Sequence, residues 1–76
     1  MNLGQGIVLA LIPTSSGLVP YWAQAALGES IVEDESRYLM VGAKGKVLYA
    51  FPKDTVVAIL LARGQAYTLY QKLRLK

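Results

Sequence analysis

The chain has 76 residues, 54% of them hydrophobic, a net charge of +3, and neither cysteine nor histidine. That length allows one domain with a thin core, because a chain this short buries only about 60% of its unfolded surface. Without Cys or His, disulfide staples, thiolate or imidazole metal sites, and Cys–His or Ser–His catalysis are excluded; carboxylates are left as the strong metal ligands.

Residues 1–28 carry no charge, and Ala23-Gln24-Ala25 resembles a leader cleavage site. Against a leader, no Lys or Arg precedes the apolar run, and Pro13 to Gly17 interrupts it. No stretch of about 20 apolar residues survives those breaks, so a membrane span is not expected and the reading is cytoplasmic. In chain order, Ile7–Ile12 is a β-branched apolar run closed by Pro13, which predicts a buried strand, and Thr14-Ser15-Ser16-Gly17 predicts a turn. Val19–Leu27 is open between two readings. Pro20 can start a short helix Tyr21–Leu27 ended by Gly28, or the segment is an irregular excursion that leads into a strand.

From Glu29 onward the pattern sharpens. Arg37–Ala43 and Lys46–Phe51 flank Lys44-Gly45 as a tight hairpin, Pro52-Lys53-Asp54 breaks its second strand, and Thr55–Ala62 is another β-branched run stopped at Arg63-Gly64. The tail Gln65–Lys76 is amphipathic with either a helix or a strand period. The strand reading is favoured because alternation persists to the last residue, with Tyr67 and Leu69 on one face and Tyr70, Lys72, Arg74 and Lys76 on the other. The expectation is a single all-β domain over residues 1–76: a small five-stranded barrel built from a strongly bent antiparallel sheet. Residues 19–27 form an insertion between its first two strands, and 64–76 a C-terminal extension.

Catalysis has little material here. Thr14-Ser15-Ser16-Gly17 has no base near it in sequence, and Gly42-Ala43-Lys44-Gly45-Lys46 is a hairpin turn that leads into no helix, so it is not a phosphate loop. The acid cluster Glu29, Glu33, Asp34 and Glu35 lacks the glycine-centred loop of a calcium site and reads as a solvated turn. No enzyme, cofactor, metal or small-molecule substrate is expected.

The spacing of Gly28, Ile31, Asp34, Leu39 and Val41 resembles the first motif of the Sm-like (LSm) family, in which an aspartate follows a glycine by six residues and precedes an apolar stretch. Phe51-Pro52-Lys53-Asp54-Thr55-Val56-Val57-Ala58-Ile59 is similar to the second motif, with Phe51, Asp54 and Ile59 in its structural positions. The resemblance covers Gly28 to Ile59, with Ile7–Ile12 as first strand. It implies a strand that passes through a one-turn 3₁₀ corner and leaves to close the barrel, then pairs with the edge of a neighbouring subunit. It also implies a homo-oligomeric ring of about five to seven copies and a single-stranded RNA ligand.

The residues that should grip RNA depart from the family. Ser36 stands where a base-stacking residue is usual, Tyr38 where an asparagine reads the base edge, and Pro52-Lys53 where an Arg-Gly closes the pocket. Tyr38 can stack on a base and Lys53 can meet a phosphate, which makes Ser36, Tyr38 and Lys53 the candidate RNA site. Each is equally an ordinary strand or turn residue. Lys72, Arg74 and Lys76 can track a phosphate backbone or simply solubilise a terminus. Tyr21-Trp22 can offer a base platform, an apolar cap or a subunit contact. Two functions stand beside each other: a ring that binds RNA with altered base preference, and a structural or adaptor ring, of viral or mobile-element type, that binds protein. A lone SH3-like peptide-binding module is the third.

Overall fold

Runs of β-branched and aromatic residues punctuated by Gly, Pro and Ser leave little room for helix, and the described residues fold as strands, turns and two 3₁₀ turns. The computed structural model describes residues 1–72 and the side chains of residues 1–70. The strands are β1 (Asn2–Gly4), β2 (Gly6–Thr14), β3 (Gly17–Gln24), β4 (Ser30–Glu33), β5 (Arg37–Val41), β6 (Val47–Pro52), β7 (Val56–Arg63) and β8 (Ala66–Lys72). They form two four-stranded antiparallel sheets, ordered β1-β4-β5-β6 and β3-β2-β7-β8.

The all-β reading holds, and the five-stranded count is corrected to eight strands that do not close into one hydrogen-bonded barrel. Three features add the extra strands. The first strand is divided at Gly4–Gly6, so that its start pairs in one sheet and its longer part in the other. The backbone stays satisfied across this step, because Gln5 O accepts from Ala62 N at 2.9 Å and Gly6 O from Ala25 N at 2.8 Å. Gly6 lets the strands approach: a Cβ there would stand 2.2 Å from Leu60 O. Second, the 19–27 insertion is neither a helix nor an irregular excursion. Gly17–Gln24 pairs along its whole length with β2, from Thr14↔Gly17 to Ile7↔Gln24. Third, Ala66–Lys72 of the tail is a strand paired with β7, and the rest of the tail lies outside the described residues.

Gly28 ends no helix. It holds φ 85 in the turn Ala26–Glu29, closed by Glu29 N donating to Ala26 O at 2.9 Å, where a type II turn needs a residue with positive φ. The corner expected after Phe51 is the 3₁₀ turn Lys53–Thr55, with Thr55 Oγ1 donating to Pro52 O at 2.8 Å.

The core lies between the sheets. Ile31, Tyr38 and Met40 from the first sheet meet Val8, Val56 and Ile59 from the second. Pairing matters as much as packing: β7 is hydrogen-bonded on both sides, by β2 and by β8. The edge of the closing strand that the family resemblance assigns to a neighbouring subunit is therefore occupied by the chain's own β8. The open edges of the described residues belong to β3, β6, β8 and β1. Among the described residues no helix is long and apolar enough to cross a membrane.

Candidate functional site

The strand pairing brings Ser36, Tyr38 and Lys53 to one corner, yet it closes that corner to a ligand. Tyr38 is 0% exposed and packs in the core between Glu33 and Phe51 on the neighbouring strands, so neither ring face is available for stacking on a base. Lys53 Nζ stands 5.3 Å from the Tyr38 ring centroid and 2.9 Å from Glu33 Oε2. Ser36 is exposed, and its carbonyl accepts from Lys53 N at 3.0 Å, which pins the 3₁₀ turn to the β4–β5 turn.

Glu33 is the centre of this corner, and it is a residue that composition alone places in a solvated turn. Strand alternation explains its position. Glu33 lies two residues past the fully buried Ile31 and opposite Tyr38, so its side chain turns inward at the rim of the core. There its carboxylate accepts from Lys53 on Oε2 and from the Tyr70 hydroxyl on Oε1 at 2.7 Å. Its backbone exchanges hydrogen bonds with Met1, the terminal amine donating at 2.7 Å. The hydrogen bonds from Lys53 and Tyr70 hold the Glu33 carboxyl below the usual carboxylate value despite partial burial. The same carboxylate raises the Lys53 ammonium and, with some desolvation, the Tyr70 hydroxyl. The group ties β4, the 3₁₀ turn and β8 together. It is a clasp between the two sheets, with its charges already matched.

Two other acids of the cluster, Glu29 and Asp34, go to separate partners. Glu29 Oε1 accepts from Ala26 N at 2.8 Å, and Asp34 pairs with Arg37 at 3.5 Å on the surface. Among the described residues no three His, Cys, Asp or Glu side chains group as metal ligands would. Asp54 is exposed on its 3₁₀ turn, while Phe51 and Ile59 belong to the core. Lys72 ends β8 with its side chain outside the described residues, and Arg74 and Lys76 lie outside them altogether.

Tyr21 and Trp22 do not form one platform, because neighbours on a strand point to opposite faces. Tyr21 turns toward β6, where its ring centroid lies 6.5 Å from Tyr49 and 6.3 Å from Phe51, and Tyr49 lies 6.2 Å from Phe51. This aromatic seam joins the outermost strands of the two sheets across a line that has no ladder of hydrogen bonds. Phe51 is buried in it, while Tyr21 and Tyr49 are half exposed. Trp22 points the other way and is exposed, as are Leu18, Val47 and Leu48. What the arrangement offers a partner is therefore apolar and aromatic surface along open strand edges, not a charged pocket. The sequence already held the signal: strands that run apolar on both parities, Leu9 and Leu11 as well as Val8 and Ala10, have no polar side to give to water. The chain matches no protein-family model, no curated protein and no solved structure.

Proposed function

We propose that this chain is a self-associating structural or adaptor subunit of the Sm-like type, which acts through protein contacts. The observation that carries the reading is the exposure of Leu18, Trp22, Val47 and Tyr49 on two open-edged strands that carry no charge. Unpaired edges and contiguous apolar surface are the features that water-facing monomers suppress and assembling subunits retain. A 76-residue chain has a further reason to associate, since its own core is small. The Sm-like part of the proposal is supported by the order of elements: the meander β4-β5-β6, then the 3₁₀ turn Lys53–Thr55, then β7 returning beside β2.

The protein-binding class is favoured over RNA binding by the same corner that the resemblance assigns to RNA. Tyr38 has no free face, and the Lys53 ammonium is matched to Glu33 before any phosphate arrives. Native mass spectrometry on protein purified without nuclease tests the reading. A multimer whose mass is unchanged by ribonuclease and whose assembly persists in high salt is the expected result. A monomer at all concentrations, or extra mass that ribonuclease removes and salt weakens, would overturn it.

A further inference from the structure

The sheet β3-β2-β7-β8 has two apolar faces, and only one of them meets the other sheet. Val8, Ala10, Ile59 and Leu61 turn inward to the core. Alternation sends Leu9, Leu11, Ala58 and Leu60 outward, and the register sets Trp22 beside Leu9 and Leu69 beside Leu60. Trp22 and Leu69 are 62% and 52% exposed, and Leu18 farther along β3 is 63% exposed. An antiparallel sheet with one face in water ordinarily carries polar residues there, and the centre of this face is apolar.

We infer that this outer face docks against the same face of a second copy, sheet upon sheet. The inference rests on the self-association reading and names the surface that performs it. Charge selects the occupant first. Strands β2 and β3 contain no charged residue, and the charges of β7 and β8 stand only at strand ends, Arg63 and Lys72, so the centre of the face has nothing to offer a phosphate-rich or acidic partner and is complementary to itself. Polar groups agree. Gln24 Nε2 donates to the Tyr67 hydroxyl at 3.2 Å, bridging the two outer strands, so these two side chains already partner each other before the face is covered. Area is sufficient as well. The exposed parts of Trp22, Tyr67, Leu18 and Leu69, with the half-buried strand centres, amount to roughly 500–700 Å², near the ~800 Å² per partner of a standard interface. Finally, β7 is paired on both edges, which closes the edge-to-edge route through that strand and leaves face stacking open.

Trp22 is the only tryptophan in the chain, so its fluorescence reports this face directly. A dilution series of the full chain, followed by emission and by light scattering, should show the Trp22 emission moving red as the mass falls, with a common midpoint. Leu69→Lys should weaken association by at least about 30-fold, whereas Asp54→Lys on the exposed 3₁₀ turn Lys53–Thr55 should change it less than about 3-fold. Assembly with unchanged affinity in Leu69→Lys and red emission at every concentration would overturn this face while leaving self-association through another surface. A wild-type chain that is monomeric throughout would overturn both. A blue shift that appears only on adding phosphatidylcholine vesicles would overturn the second copy as occupant in favour of a lipid surface.

Discussion

Gly6→Ala is the most informative single change to the fold, because the structure fixes its cost from one distance. A methyl at this position would lie 2.2 Å from the Leu60 carbonyl oxygen, 3.0 Å from Leu61 Cα and 3.2 Å from Ile31 Cδ1. A carbon and a carbonyl oxygen ordinarily approach no closer than about 3.3 Å, so β2 and β7 would have to separate by about 1 Å. The obstructing atom is backbone in a paired strand, and it cannot rotate away as a side chain would. Overpacking of this kind costs about 1–3 kcal/mol, and we expect the upper end, about 3 kcal/mol. At about 4–8 °C per kcal/mol for a domain of this size, the thermal midpoint should fall by at least ~12 °C. Gly4→Ala is the matched control. It has φ +90 with nothing within 4 Å of the added carbon, so it suffers only backbone strain, about 1–2 kcal/mol. Urea unfolding of the three proteins at one concentration decides the matter. If Gly6→Ala proves less costly than Gly4→Ala, the close approach of β2 to β7 is wrong.

Three further outcomes follow from the clasp, the core and the β5–β6 turn. The depressed Glu33 carboxyl contributes stability that is present above its ordinary value of 4.5 and lost as pH falls through the lowered one. The raised Lys53 ammonium contributes stability that is present below its ordinary value of 10.5 and lost as pH rises through the raised one, with Tyr70 acting in the same direction. Glu33→Gln should therefore flatten both the acid and the alkaline limb of a pH–stability curve, and an unchanged acid limb would count against the clasp. Tyr38→Ala should destabilise by about 3–5 kcal/mol, the usual cost of emptying an aromatic core position, measured by denaturant midpoint; a surface-like cost below ~1 kcal/mol would contradict its burial. Lys44 holds φ 61 in the turn Ala43–Gly45, so Lys44→Gly should raise stability by roughly 0.5 kcal/mol after the added chain entropy is counted.

Local chemistry was enough to read much of the fold. The β-branched runs Ile7–Ile12 and Thr55–Ala62, the hairpin around Lys44-Gly45 and the break at Pro52-Lys53 all carry their instruction within a few residues, and strands and a 3₁₀ turn stand at those places. The segment 19–27 was not legible in the same way. Pro20, Tyr21 and Trp22 suit a helix start or a strand, and the choice is made by β2, whose free edge offers hydrogen bonds along the whole of Gly17–Gln24.

The candidate RNA site shows the same division. The family resemblance grouped Ser36, Tyr38 and Lys53, and the fold does bring them to one corner. Spacing says nothing about which groups face water, and there Tyr38 is core and Lys53 is matched to Glu33. Glu33 itself was hidden among acids because its role depends on Tyr70, 37 residues away. By itself the sequence determined that the chain would be built mainly of strands, uncharged in its first third and without cysteine or histidine. The tertiary structure alone decided which apolar parity of β2, β3, β7 and β8 became core and which stayed outside, because a strand with two apolar sides is assigned its buried face only by what packs against it.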